Sequence, residues 1–181
     1  MLEPVRDGNW IFGYGSLVWR PAFRYVERRP GQIRGYARRF WQASTDHRGT
    51  PEAPGRVLTL VEAEGELCGG MGYRVDDAVM ADVLTDLDHR EKNGYQRVST
   101  SLYFDRESRE TAVALVYIAG PTNPHYTGPE PVEDIAAIAA RARGPSGENR
   151  EYVLELARAL ERYGYRDEHV EAVARVITNR G

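Results

Sequence analysis

The sequence is poor in the features that mark exported, membrane-bound and nucleic-acid-binding proteins. Its 181 residues include one cysteine, Cys68, so an intrachain disulfide and a cysteine-rich metal site are both excluded. No segment approaches the roughly 20 consecutive apolar residues of a membrane helix, and the charged N-terminus lacks the apolar core of a signal peptide. The net charge of −3 provides no basic surface for nucleic acid. These absences predict a protein of the reducing cytoplasm that binds neither membranes nor nucleic acid.

The remaining composition is that of a folded globular protein. Apolar residues make up 41% of the chain and charged residues 28%, which is enough apolar material for a core. The length fits one domain, and we expect residues 1–181 to form it. The four histidines are scattered without the spacing of metal ligands, so we expect no metal site.

Hydrophobic patterns predict about six strands and four helices. Val79, Val83 and Leu87 recur at helical spacing and predict a helix over residues 77–89, with Asp76 or Asp77 as its N-cap. Glycines at 69, 70 and 72 indicate a bulge or a close approach of two backbones. Strands are predicted at residues 10–12, 32–44, 56–61, 67–75, 96–104 and 111–118, and further helices at 132–143, 150–163 and 168–178.

The order of these elements favours an α+β fold. Antiparallel-type strands with one inserted helix precede a helical C-terminal part, so we expect the sheet to curl into a small mixed or antiparallel β-barrel. Residues 120–131 contain four prolines and two glycines, too many for a regular element, and are predicted to form a functional loop. Barrel mouths commonly hold ligands.

Residues 13–17, Gly-Tyr-Gly-Ser-Leu, follow the first predicted strand. They lack the third glycine of a dinucleotide fingerprint, the Gly-Lys-Ser/Thr of a phosphate-binding loop and the second flanking glycine of a nucleophile elbow. Gly13 and Gly15 instead allow backbone N–H groups to converge on an anion or a carbonyl oxygen, with the Tyr14 and Ser16 hydroxyls nearby. A purely structural strand-to-loop turn is an equally good interpretation of this segment alone.

Glu91 lies where the predicted helix 77–89 ends and Gly94 permits a turn into the next strand. The negative end of a helix dipole raises the pKa of a carboxyl group, which would suit Glu91 to act as a base and then as an acid near neutral pH. The alternative is a solvated Glu91 paired with Arg90 or Lys92. A Ser16-His-Asp triad has no support in the residue spacing, and Cys68 in a glycine-rich strand is more typical of a small buried residue than of a nucleophile.

Five ordered segments together resemble the ChaC-type γ-glutamylcyclotransferases, and the similarity extends from Trp10 to about Tyr165. The segments are residues 12–19, residues 44–56 with Ser-Thr-Asp-His-Arg-Gly-Thr-Pro-Glu at their start, residues 90–95 with Arg-Glu-Lys-Asn-Gly-Tyr, residues 123–126 and residues 144–152.

The resemblance implies an enzyme that releases pyroglutamate and cysteinylglycine from glutathione without metal or cofactor. It implies that Glu91 is the catalytic acid/base. The implied substrate contacts are Tyr14, Gly15, Ser16 and Leu17 of the loop, together with Arg48 and Tyr126. Two alternatives stay open: a cyclotransferase for other γ-glutamyl amino acids or amines, and a non-catalytic module that binds a γ-glutamyl metabolite.

Overall fold

The computed structural model describes residues 6–104, 107 and 109–179. Within that part the chain forms two compact units. We call the one within residues 1–37 and 62–118 the barrel unit, and the one within residues 38–61 and 119–181 the helical unit. Two long strands belong partly to each unit.

The barrel is closed by five strands in the order β1-β3-β2-β4-β5. The strands and the helix inserted among them are β1 (Arg6–Gly13), β2 (Glu27–Ser44), β3 (Gly55–Val75), α1 (Asp77–Arg90), β4 (Gln96–Tyr103) and β5 (Thr111–Ile118). β1 is antiparallel to β3, with Gly13 opposite Met71, and parallel to β5, with Ile11 opposite Leu115. The predicted α+β fold with a small mixed barrel is therefore confirmed.

One strand prediction was wrong. The segments 56–61 and 67–75 are not two strands but the two ends of β3, so the barrel has five strands rather than six. The polar residues between them, Glu62, Glu64 and Glu66, suggest a break in the sequence but lie exposed on a continuous strand. A ladder of backbone hydrogen bonds does not require apolar side chains where one face meets solvent.

Helix α1 packs its apolar stripe into the barrel unit. Val83 and Leu87 are buried with Ile11, Val75 and Tyr117 in one cluster. The Asp76 side chain caps the helix by accepting a hydrogen bond from the Ala78 N–H at 2.9 Å, as the sequence predicted. The helix therefore has a fixed start and a fixed face, and its C-terminal end has a defined position in this unit.

Gly70 on β3 is required by a close approach to β1. A Cβ atom at this position would meet the Gly13 carbonyl oxygen and would lie 2.7 Å from Phe12 Cζ. This confirms the close backbone approach predicted for the glycine-rich strand. The contact matters because Gly13 is the residue at which β1 ends.

The helical unit contains three helices and a two-stranded hairpin. These are α2 (Val132–Ala139), α3 (Asn149–Arg162), α4 (Glu168–Asn179) and the strands β6 (Arg143–Gly144) and β7 (Gly147–Glu148). The predicted helix 132–143 thus ends four residues early, because Arg143 and Gly144 pair with Glu148 and Gly147 in the hairpin. Gly144 also lies against the backbone of Gly49, where a side chain would not fit.

Helix α4 is held to the end of β2 by buried polar contacts. Arg38 is 1% exposed, and its Nε lies 2.9 Å from Asp167 Oδ2. The Phe40 N–H donates to His169 Nε2 at 3.0 Å, so this nitrogen must carry the lone pair. His169 is consequently neutral in the folded protein, with its proton on Nδ1.

Residues 120–131 contain no helix and no strand beyond a single bridge between Gln42 and Tyr126. The buried Asn123 organises the segment: its Oδ1 accepts hydrogen bonds from the His125 N–H at 2.8 Å and from Gln42 Nε2 at 3.2 Å. The predicted irregular loop is present and is held by these contacts.

Candidate active site

The loop at residues 13–17 is built as a fixed turn at the end of β1. Ser16–Val18 form a 3₁₀ turn, and the Val18 N–H donates to the Gly15 carbonyl oxygen at 2.9 Å. The Tyr73 hydroxyl donates to the Leu17 carbonyl oxygen and ties the turn to β3. Because a 3₁₀ turn leaves its first N–H groups without partners inside the turn, Ser16 and Leu17 can present backbone donors to a ligand.

Tyr14 is directed into the barrel unit. Its side chain is 7% exposed, and its hydroxyl donates to the Tyr117 carbonyl oxygen on β5 at 2.7 Å. The hydroxyl predicted to lie near the ligand therefore also joins the loop to the last strand of the barrel. This bond fixes the direction in which the chain leaves β1.

The end of helix α1 meets the same loop. Glu91 is the C-cap of α1, and its N–H donates to the Leu87 carbonyl oxygen at 2.8 Å. Arg90 Nη2 donates to Ser16 Oγ at 2.6 Å, while Arg90 Nε lies 3.8 Å from Glu91 Oε1. The Glu91 side chain is half-buried, with 23% of its surface exposed. The structure thus brings the loop and the helix end together through Arg90.

A chain of polar side chains joins β5 and β4 to Asp88, one turn before Glu91 on α1. The Tyr117 hydroxyl donates to Asp88 Oδ1 at 2.7 Å, and Arg97 Nη2 lies 3.1 Å from Asp88 Oδ2. Burial, together with the hydrogen bond to Asp88 and the negative charges of Asp88 and Glu91, raises the pKa of Tyr117 well above its ordinary value. Tyr117 is therefore a permanent hydroxyl donor at physiological pH.

Arg48 and Tyr126 belong to the helical unit. The Arg48 guanidinium is buried and donates through Nη1 to the Glu148 carbonyl oxygen at 3.0 Å and to Glu151 Oε2 at 3.2 Å. Tyr126 is half-buried and pairs with Gln42 across the bridge described above. A contact of either residue with substrate stays a prediction.

The sequence identifies the loop and Glu91 as site candidates and indicates Arg90 only as an ion-pair partner of Glu91, a pair that the structure contains at 3.8 Å. The contact of Arg90 with Ser16 could not be predicted, because the two residues are 74 positions apart in the sequence. Tyr117 and Asp88 lie within the predicted strand 111–118 and the predicted helix 77–89, and the sequence singles out neither residue. Their hydrogen bond depends on strand register, which the sequence pattern does not specify to one residue.

Among the described residues no group of three or more His, Cys, Asp or Glu side chains is placed to hold a metal ion. No helix in the described ranges is long and apolar enough to span a membrane. The candidate site comprises the loop of residues 13–17, the Arg90 and Glu91 pair at the end of α1, and the Asp88–Tyr117 hydrogen bond.

The protein is an α+β protein with a closed mixed barrel and one inserted helix. Glu91 lies at the end of that helix, which contacts the glycine-containing loop of residues 13–17 through Arg90. The chain belongs to the ChaC-like protein family, whose model matches residues 9–180. The family resemblance inferred from the sequence is confirmed.

Particular relatives make the similarity more specific. The chain is 45% identical over 174 residues to "Gamma-glutamylcyclotransferase 2-3" of Arabidopsis thaliana, covering 93% of this chain and 87% of that protein. It is 42% identical over 182 residues to the human "Glutathione-specific gamma-glutamylcyclotransferase 1", covering 96% of this chain and 82% of that protein.

A solved structure is also similar. A crystal structure of a γ-glutamyl cyclotransferase specific to glutathione from yeast superposes with a TM-score of 0.89 at 29% identity, covering 95% of this chain and 96% of the yeast chain. The fold is therefore shared along almost the whole length of both chains.

Proposed function

We propose that the protein is a lyase of the γ-glutamylcyclotransferase type that converts glutathione to 5-oxoproline (pyroglutamate) and cysteinylglycine. The observation that carries the proposal is the position of Glu91 at the end of α1, joined through Arg90 to the loop of residues 13–17. The names of the relatives support the same substrate.

The reaction needs one group that first accepts and then returns a proton. The α-amine of the γ-glutamyl group attacks the γ-carbonyl carbon, a new C–N bond closes the five-membered lactam, and the original γ-amide C–N bond breaks. Glu91 takes the proton from the α-amine and delivers it to the departing amine of cysteinylglycine. Glu91 lies at the negative end of α1 and 3.8 Å from Arg90 Nε, so its carboxyl group faces charges of both signs.

The loop supplies position and charge stabilisation. Ring closure is intramolecular, so folding the γ-glutamyl arm into a near-attack conformation accounts for much of the acceleration. The N–H groups of Ser16 and Leu17 and the Ser16 hydroxyl are donors for the developing oxyanion or for the α-carboxylate. The reaction is redox-neutral and requires only proton transfer, which the side chain of Glu91 performs.

The test is to replace Glu91 with Gln, which keeps the size of the side chain and removes its proton-transfer function. We expect Glu91→Gln to fold normally and to lose pyroglutamate release from glutathione by at least about a hundredfold, the usual contribution of a general acid/base. Glu64→Gln, an exposed position on β3, is the matched control. Turnover in Glu91→Gln equal to that of Glu64→Gln would contradict the catalytic assignment.

The substrate range is tested with a panel of γ-glutamyl compounds. A panel of γ-glutamyl amino acids and amines assayed beside glutathione separates a glutathione enzyme from a broader cyclotransferase, and binding of glutathione without product would indicate a non-catalytic module.

Arg48 and Tyr126 remain proposed substrate contacts, and an unchanged KM in Tyr126→Phe would contradict that role for Tyr126.

We also propose a cytoplasmic location, which the single buried thiol of Cys68 supports.

A further inference from the structure

Arg90 is the residue that joins the two parts of the candidate active site. Its Nη2 lies 2.6 Å from Ser16 Oγ in the loop, and its Nε lies 3.8 Å from Glu91 Oε1 at the end of α1. The side chain is half-buried, at 27% exposure, so its charge is partly shielded from solvent. One guanidinium group therefore faces both the proposed acid/base and the proposed oxyanion donor.

The chemistry of the hydrogen bond determines the direction of the Ser16 hydroxyl. A guanidinium group has five N–H donors and no acceptor, so Ser16 must accept from Arg90 through its oxygen. The Ser16 O–H is then directed away from Arg90 and can donate to a third group. A hydroxyl that accepts from a cation is also a stronger donor, because linked hydrogen bonds polarise one another.

We propose that Arg90 is a positioning residue that orients and polarises the Ser16 hydroxyl as a donor to the γ-glutamyl carbonyl oxygen and that favours the carboxylate form of Glu91. This inference rests on the proposed cyclotransferase function. In it, Arg90 does not transfer the proton but positions the groups that act on the substrate. Lysine cannot replace arginine here, because a single ammonium group does not reach two partners in the fork geometry of a guanidinium.

The charges around Glu91 favour this assignment. Tyr117 on β5 stays neutral and donates to Asp88, and Arg97 on β4 pairs with Asp88 on its other oxygen. Lys92 follows Glu91 in the chain and is exposed. Arg90 is thus a cation in contact with the Glu91 carboxylate, and the negative charge of Asp88, one turn earlier on α1, is itself paired with Arg97.

The experiment is a double-mutant cycle on turnover. We expect Arg90→Gln and Ser16→Ala each to lower kcat for pyroglutamate release by about 10- to 100-fold with a smaller change in KM, since the donor acts mainly on the developing oxyanion. The double variant should be no slower than the slower single variant, because both substitutions remove the same donor. Fully multiplicative losses in the double variant would overturn the proposal.

A pH profile distinguishes positioning from a merely structural role. Removal of the Arg90 charge should move the acid limb of kcat/KM to higher pH by about half to one unit, whereas Ser16→Ala should leave it in place. Arg90→Lys keeps a positive charge and should restore the acid limb without restoring kcat. Arg158→Gln, an exposed arginine on α3, should match the wild type in every measurement. An acid limb that does not move in Arg90→Gln would contradict the second half of the proposal.

Failure of this inference can be separated from failure of the proposed function. If the wild-type protein forms no pyroglutamate from glutathione, the cyclotransferase proposal fails by itself. Thermal unfolding of the wild type, Arg90→Gln, Ser16→Ala and the double variant then tests the Arg90–Ser16 contact without any turnover. Non-additive shifts in the unfolding midpoint support the contact, and additive shifts overturn it. Should Arg90→Gln fail to fold, Arg90→Met, which also lacks the charge, replaces it in the turnover and pH comparisons.

Discussion

Tyr117 supports the candidate active site through both its backbone and its side chain. Its carbonyl oxygen holds the Tyr14 hydroxyl, and its own hydroxyl holds Asp88 one turn before Glu91. A single residue of β5 therefore fixes the loop on one side and the helix end on the other. The raised pKa of Tyr117 keeps its hydroxyl protonated, and therefore able to donate, across the physiological range.

His169 is the residue for which a strong pH dependence of stability is expected. Burial lowers the pKa of His169 to about 4 in the folded protein, and the nearby positive charge of Arg39 acts in the same direction, whereas Asp167 opposes it. The unfolded chain takes up a proton near the ordinary value of about 6.5, so below that pH the unfolded state binds more protons. The contribution of His169 is therefore complete above about pH 6.5 and is lost as the pH falls towards 4.

Urea unfolding at pH 7.5 and pH 5 measures this effect. The linkage predicts that the wild-type protein loses up to about 2 kcal/mol of its free energy of unfolding between these two pH values. His169→Gln should lose less, because glutamine can accept from the Phe40 N–H and does not ionise. An equal loss in wild type and His169→Gln would assign the pH dependence to other groups.

At the scale of elements, helix α1 and the loop of residues 13–17 were more predictable than the extent of β3. The stripe of α1, its Asp76 cap and the position of Glu91 follow from local rules of helix geometry and capping, which operate within a few residues. The continuity of β3 does not follow from local rules, because the polar middle of this strand is stabilised by pairing with neighbouring strands rather than by its own side chains. The loop was recognisable through its glycines, but its ligand became assignable only through its resemblance to a family.

Substitution of Gly70 tests how strongly the packing of β3 against β1 affects stability and turnover. We expect Gly70→Ala to destabilise the protein by about 2–3 kcal/mol, because its Cβ would meet a backbone carbonyl oxygen that cannot move without shifting β1. Because that carbonyl belongs to Gly13, turnover should fall as well. Gly120→Ala is the control: a Cβ there meets nothing within 4 Å, and the change in free energy of unfolding should stay under about 1 kcal/mol. Urea unfolding and a pyroglutamate assay measure both effects, and equal stability of the two variants would contradict the packing argument.

For the whole molecule, we propose the single domain that the sequence predicts, because of the way the chain connects the two compact units. The chain passes between the barrel unit and the helical unit three times, at residues 37–38, 61–62 and 118–119, and two of these passages lie inside β2 and β3. Neither unit is a contiguous piece of the sequence. The length and composition supported one core, but they contained no information on this division, which depends on contacts between distant segments.

We therefore expect one cooperative unfolding transition. Far-ultraviolet circular dichroism, which follows the helices, and tryptophan fluorescence should give the same midpoint and the same slope in urea. β2 and β3 each continue from one unit into the other, so two of the three passages are regular strands rather than flexible linkers. Two separate midpoints would contradict the single-domain proposal.

The parallel pairing of β1 with β5 has a consequence for synthesis on the ribosome. The loop of residues 13–17 emerges early, yet the carbonyl oxygen that receives the Tyr14 hydroxyl lies 103 residues later in the chain. Contacts of such separation form late and slowly in folding. A nascent chain thus carries the loop of residues 13–17 and later Glu91 without the strand that holds Tyr14. Enzymatic competence would arise only when β5 closes the barrel, so that incomplete chains would not consume a cellular thiol.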